Sequence, residues 1–165
     1  MRIVKLFTAA LCLFITTSIA AQKNVPDLPL KTMDGKTVNL QDYAKDGKIT
    51  VISFWATWCS PCKKELDAIA DFYPDWQADY NVELVAITID TRRALAKVPS
   101  IVETKGWEYT VLIANEQDAQ NALNFQTIPQ TFLIDSNGQI VWDHNGYVPG
   151  DEEELEDEIA KLAGK

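Results

Sequence analysis

Ile49-Thr50-Val51-Ile52-Ser53-Phe54-Trp55 runs directly into Ala56-Thr57-Trp58-Cys59-Ser60-Pro61-Cys62. The first part is a short run rich in apolar and β-branched residues, which reads as a buried strand. A Cys-x-x-Cys pair at the strand-to-helix junction that follows makes a dithiol able to switch to a disulfide. A helix opening near Cys59 would aim backbone N–H groups and its positive end at that sulfur, favouring thiolate over thiol. Cys59 is therefore the expected nucleophile. Pro61 fits an early helical position at little cost, since its missing N–H belongs to a group left unpaired there anyway. Cys62 lies one turn further in, is better shielded, and is expected to resolve.

The N-terminus reads as an export signal spanning residues 1–20. Arg2 and Lys5 precede an apolar run from Leu6 to Ile19, and Ser18-Ile19-Ala20 supplies small residues before a cut. The run falls short of the roughly 20 apolar residues of a comfortable membrane span, so cleavage after Ala20 is expected, with an uncleaved anchor as the alternative. Cys12 sits inside this run and would leave with it, so Cys59 and Cys62 would be the remaining cysteines. A secreted domain that used disulfides as scaffold would show several, spread along the chain. One pair closing a tiny loop constrains almost nothing in the unfolded state. A zinc site would need about two further Cys or His ligands, and His144 is the lone histidine. No metal site is expected.

The whole chain of 165 residues carries a net charge of −9. Loss of Arg2 and Lys5 leaves 13 basic against 24 acidic residues, about −11. Such a surface disfavours nucleic acid and anionic membranes. Much of the acid lies in Asp151-Glu152-Glu153-Glu154-Leu155-Glu156-Asp157-Glu158. Leu155, Ile159 and Leu162 keep a helical spacing there, so the run reads as the solvated face of a closing helix with acid at its favourable N-terminal end.

Residues 24–165 show no repeat or low-complexity linker and read as one domain. Val25 to Leu40 is a hairpin-like entry that turns at Met33-Asp34-Gly35-Lys36. A helix should run from Ser60 or Pro61 toward Phe72, with Pro74 marking a kink or restart. The strand Val82 to Ile89 then completes a parallel strand-helix-strand unit. Further on come helical pieces over Arg92 to Val98 and after Pro99, a strand near Tyr109 to Ile113, and a helix over Glu116 to Leu123. Strands from Gln130 to Asp135 and Ile140 to Asn145 flank the Asn137-Gly138 turn, a strong hairpin signal. A helix from about Asp151 to Leu162 closes the chain.

This order of elements resembles the thioredoxin fold: α/β, a central mixed sheet flanked by helices, here with an N-terminal hairpin extension and an inserted strand-helix segment over roughly Thr91 to Asn115. More narrowly, it resembles the exported thioredoxin-like reductases of the TlpA/ResA type. That likeness rests on Phe54 to Glu65, on Thr127-Ile128-Pro129-Gln130-Thr131-Phe132-Leu133-Ile134-Asp135, and on Gly146-Tyr147. By itself Pro129 would read as an ordinary strand-start proline. The resemblance implies instead a cis Ile128–Pro129 bond lying against the dithiol, with the backbone of Ile128 offered to a bound polypeptide. Trp58, Ser60 and Pro61 would share in binding substrate, and Trp55 would pack beneath the rim.

Ordinary thioredoxins have a buried aspartate where this chain has Ser53, which cannot titrate usefully near neutrality. Glu65 lies one helical turn beyond Cys62, with Ile69 and Phe72 as its own helical neighbours. A carboxyl among apolar neighbours should have a raised pKa, suited to taking a proton from Cys62. The resemblance also places a functional glutamate here. The competing reading is a solvated glutamate that offsets Lys63 or Lys64. Relatives commonly carry proline where this chain has Asp67, which leaves the direction of Glu65 open. His144 reads as a surface strand residue, and Lys63 and Lys64 as exposed.

The expected activity is thiol–disulfide oxidoreduction outside the cytoplasm, mainly as a reductant of disulfides in exported proteins. The redox-active Cys59–Cys62 pair is the only cofactor expected. Resemblance supplies two partners: a membrane electron donor and apocytochrome c as client. An oxidase or isomerase is the first rival, although no dimerisation segment stands out and a monomer is expected. A thiol peroxidase would need a peroxidatic cysteine standing apart from the pair. A copper chaperone using both thiolates is a rival of another class, disfavoured because copper-delivery relatives on this fold space their cysteines by three residues and add a distal histidine.

Overall fold

A computed structural model describes residues 23–165. The expected signal segment and Cys12 lie outside them. The strands are β1 (Lys23–Asn24), β2 (Pro29–Thr32), β3 (Thr37–Asn39), β4 (Ile49–Trp55), β5 (Val82–Thr88), β6 (Thr110–Ile113), β7 (Gln130–Ile134) and β8 (Gln139–Asn145). Between and after them come α1 (Leu40–Ala44), α2 (Ser60–Tyr80), α3 (Arg92–Leu95), α4 (Val98–Lys105), α5 (Glu116–Leu123) and α6 (Asp151–Leu162).

All eight strands form one sheet in the order β1-β8-β7-β4-β5-β6-β2-β3. β4, β5 and β6 are parallel neighbours, and the remaining pairings are antiparallel. This is the mixed sheet of a thioredoxin-like fold, and every residue of β4 is buried at its centre. Burial on both faces is what a near-continuous apolar strand among parallel partners requires. The entry hairpin β2–β3 docks on β6, so the extension and the insertion complete one edge of the sheet together.

Side chains alternate across β4 and β7. Ser53 and Thr131, directly paired, point toward α2, where both hydrogen-bond to one side chain of that helix. Phe54 and Phe132 take the opposite face and meet Phe125 just beyond α5, with ring centroids 4.8 Å and 6.3 Å from Phe125. The Asn137-Gly138 turn forms as expected. Gly138 holds φ +80°, and a Cβ there would come within 3.2 Å of the Ala44 carbonyl, so both conformation and space call for glycine.

Three expectations need correction. α2 neither stops near Phe72 nor restarts at Pro74: it continues to Tyr80. Tyr73 and Trp76, on either side of the proline, are both buried in the core. Packing of that kind offsets the roughly 3 kcal/mol or more that an interior proline costs a helix. The break between α3 and α4 falls at Ala96-Lys97, with Pro99 inside the first turn of α4, where proline is tolerated. In α6, Leu155 and Ile159 are buried, but Leu162 remains 38% exposed, so the apolar stripe ends a turn early. The short α1 and β1 were not foreseen. α1 did carry a signal: Asn39 and Asp42 cap its first turn reciprocally.

Candidate active site

β4 ends at the site and α2 begins it. The N–H of Cys59 donates to the carbonyl of Ala56 at 3.0 Å, closing the turn between them. Cys59 is the N-cap of α2, and its Sγ accepts a hydrogen bond from the Cys62 N–H at 3.2 Å. The two are joined as a disulfide with Cα atoms 5.4 Å apart. Cys59 is 5% exposed and Cys62 not at all, so an incoming thiolate reaches Cys59 alone. The same Cys62 N–H, with the positive end of α2, would stabilise a Cys59 thiolate once the bond opens.

Thr57, in the turn, is held from both sides. Its N–H and hydroxyl donate to the two carboxylate oxygens of buried Asp90 at 2.8 Å and 2.9 Å. Its carbonyl accepts from Lys63 Nζ at 2.9 Å. Asp90 also accepts from the Thr88 hydroxyl at 2.7 Å, so the reactive turn is tied to the end of β5 as well as to α2. Trp58 projects from this turn, 65% exposed, with Ser60 and Pro61 exposed beside it. Trp55 is fully buried and meets Trp107 edge-on at 5.1 Å.

The Ile128–Pro129 peptide bond is cis, and the Ile128 carbonyl oxygen lies 4.0 Å from Cys59 Sγ. Asn145 braces this loop. Its amide donates to the carbonyls of Thr127 (3.0 Å) and Pro129 (3.3 Å) and to Gln130 Oε1 (3.0 Å), and its own carbonyl accepts from the Thr127 hydroxyl (2.9 Å). Asn145→Ala is expected to loosen the loop by roughly 1 kcal/mol, a typical net hydrogen-bond contribution. The outcome should be a several-fold rise in KM for a polypeptide disulfide with little change in reduction by dithiothreitol. Equal loss toward both substrates would deny the loop a docking role.

Glu65 is buried. Its Oε2 accepts from Ser53 Oγ at 3.0 Å and its Oε1 from Thr131 Oγ1 at 2.7 Å. Burial pushes its pKa up to about 7, against the opposing pull of those two hydroxyls. The reading of a solvated glutamate paired with Lys63 or Lys64 is thereby corrected. Glu65 thus lies one helical turn beyond Cys62 on α2, buried and paired with two hydroxyls.

Against known proteins, the AhpC/TSA family model matches residues 21–143. The chain belongs to the AhpC/TSA family. Relatives in the family include the thiol-disulfide oxidoreductase ResA of Geobacillus thermodenitrificans, 32% identical over 124 residues, 75% of this chain and 68% of that protein. ResA of Bacillus subtilis is 30% identical over 75% of this chain and 66% of its own length. Among solved structures, an uncharacterized thioredoxin-like protein from Porphyromonas gingivalis superposes with a TM-score of 0.75 at 41% identity, covering 85% of this chain and 92% of that one. A thiol:disulfide interchange protein from Chlorobium tepidum superposes with a TM-score of 0.68 at 26% identity over 88% of this chain and 99% of that one. The thioredoxin-like fold and the kinship with ResA-type proteins are thus both established.

Asp67 accepts from Lys105 Nζ and, at 3.1 Å, from Trp107 Nε1. It fastens the inserted segment to α2. His144 is not merely a surface residue: its Nε2 lies 3.1 Å from Asp151 Oδ2, and its ring stacks on Trp142 at 5.6 Å. Lys63 is half-buried on the Thr57 carbonyl. Sequence reasoning passed over Thr131, Asp90 and Asn145. Only Thr131 left a trace, because in a strand beginning at Gln130 it falls on the face opposite Phe132.

Proposed function

We propose that this protein is an exported thiol–disulfide oxidoreductase that works chiefly as a reductant of disulfides in other extracytoplasmic proteins. Thiol–disulfide oxidoreduction is the coarser activity, supported by ResA-type kinship. The observation that supports a polypeptide disulfide as the substrate is the Cys59 sulfur, capped at the start of α2 and 4.0 Å from the Ile128 carbonyl. A substrate strand lying along that backbone would bring its own disulfide to the one sulfur that can be reached.

In the reduced protein the Cys59 thiolate attacks a substrate sulfur. A mixed disulfide forms and the first substrate thiolate leaves. Glu65 takes the proton of Cys62, whose thiolate attacks Cys59 and releases the second substrate sulfur, so two electrons pass to the substrate and the Cys59–Cys62 bond closes. Trp58, Ser60 and Pro61 form the rim around the bound segment, and Ile128 and Pro129 the opposite wall. The pair itself is the sole redox group required. Electrons would come from a membrane donor, and cysteines of an apocytochrome c awaiting haem are the client we favour. Both follow from the resemblance, as export follows from the expected N-terminal signal. We expect a monomer.

Direction is set by the potential of the pair against its surroundings, where 30 mV is about 1.4 kcal/mol. Equilibrating the mature protein in graded redox buffers and counting thiols by alkylation and mass measures it. A potential well below that of the compartment is the expected result, whereas one near strong oxidants would make the protein a disulfide donor.

A further inference from the structure

Thr57 follows the last residue of β4 by two positions, and Asp90 follows the last residue of β5 by two. These strands are parallel, with Trp55 opposite Thr88, so their continuations bring Thr57 and Asp90 side by side. Asp90 is 4% exposed and takes donors at both carboxylate oxygens. The Thr57 hydroxyl meets Oδ1 at 2.9 Å, while the Thr57 N–H and the Thr88 hydroxyl meet Oδ2 at 2.8 Å and 2.7 Å. None of the ion pairs among the described residues includes Asp90. A carboxylate buried without a cation is costly to fold. Two of the three donors that offset this cost come from a single residue of the turn that carries Cys59.

The same residue is held from the helix side, where Lys63 Nζ donates to the Thr57 carbonyl at 2.9 Å. Both peptide planes flanking Thr57 are therefore fixed, one from the sheet and one from α2. Cys62 belongs to α2 and is fully buried, whereas Cys59 is carried by the turn. Whatever freedom the pair gains when the disulfide opens lies in that turn.

We propose that Asp90, acting through Thr57, keeps the Cys59 turn in its disulfide-forming geometry after the bond has opened, and so lowers the redox potential of the pair. This rests on the reading of Cys59–Cys62 as the redox pair of a reductant. Opening the disulfide takes up two electrons and two protons and leaves two thiols. An unbraced turn would gain conformational freedom at that point, which favours the dithiol. A turn that stays ordered loses little freedom when the bond closes again, which favours the disulfide and makes the dithiol a stronger electron donor. Asp90 and Thr57 act through the turn and are positioning residues.

The test is the thiol–disulfide equilibrium of the mature protein in graded dithiothreitol buffers, read by alkylation and mass. Thr57→Val removes the hydroxyl arm and leaves every charge in place. It should shift the equilibrium constant about fivefold toward the dithiol, raising the potential by about 20 mV. Thr57→Ser keeps the hydroxyl and should stay within about twofold of the wild type. Asp90→Asn, with one acceptor fewer, should shift the equilibrium in the same direction as Thr57→Val; if it fails to fold, the two Thr57 variants decide alone. Denaturant unfolding of both redox forms of Thr57→Val closes the cycle. The oxidised form, whose turn cannot relax, should lose more stability than the reduced form. An unmoved or lowered potential in Thr57→Val, with equal losses in the two forms, would overturn the proposal and leave the clamp a structural contact. The wild-type potential judges the direction of exchange separately. A value near strong oxidants would end the reductant reading, whereas the shift between variant and wild type decides the clamp.

Discussion

Cys62→Ala is expected to arrest the protein on its substrate as a stable mixed disulfide. Cys59 keeps its place at the start of α2, and the N–H that stabilises its sulfur belongs to the backbone of residue 62, which alanine retains. The first displacement therefore proceeds. The second has no nucleophile, since no other cysteine stands among the described residues. Multiple turnover should vanish, and a covalent adduct stable in non-reducing gels should accumulate in its place, released by dithiothreitol. Cys59→Ala should form no adduct, because Cys62 has no exposed surface through which to react. Adducts on Cys59→Ala, or turnover by Cys62→Ala, would reverse the roles of the two sulfurs. The trapped species also provides a way to identify the client.

Raising the pH should destabilise the oxidised protein through Glu65. Its carboxyl titrates near the ordinary 4.5 when unfolded and near 7 when folded. Below the lower value both states hold the proton and the group contributes nothing. Between the two the folded state keeps a proton that the unfolded state has lost, so stability declines as pH rises through this window and levels off above it. The full loss is about 3 kcal/mol. Glu65→Gln keeps the shape and can still pair with Ser53 and Thr131, one as donor and one as acceptor, but carries no charge to desolvate. Denaturant unfolding of the two oxidised proteins should give near-equal stabilities at pH 4.5 and a more stable variant at pH 8. Equal differences at both pH values would show that Glu65 is not held in a costly ionised state.

Much of this was legible because the relevant signals are local. Strand β4, the Cys-x-x-Cys turn, the Asn-Gly hairpin and the acidic start of α6 each announce themselves within ten residues or so. Glu65 was legible as well, through helical spacing from Cys62. What escaped depends on register. That Ser53 serves as a donor to Glu65, rather than simply lacking a useful charge, follows only once β7 is seen to place Thr131 opposite it. Asp90 falls just past the expected strand Val82 to Ile89, and Asn145 at the last position of its own expected strand, and neither place marks a role. Each gains its role by reaching across the sheet to a loop 33 or about 16 to 18 residues away in sequence. Pro74 misled because local propensity marks a helix stop, whereas Tyr73 and Trp76 are both anchored in the core.

The pair of hydroxyls gripping Glu65 bears on any attempt to engineer this chemistry elsewhere. Ser53 and Thr131 face one another only while β4 and β7 keep their present alignment, and a slip of one residue would present Gln130 or Phe132 in place of Thr131. Transplanting Cys59 to Glu65 as a cassette into a foreign scaffold would import a disulfide without the setting that poises its acid. The smallest portable unit is discontinuous: the cassette, one residue of the strand that precedes it, and one residue of the strand antiparallel to that.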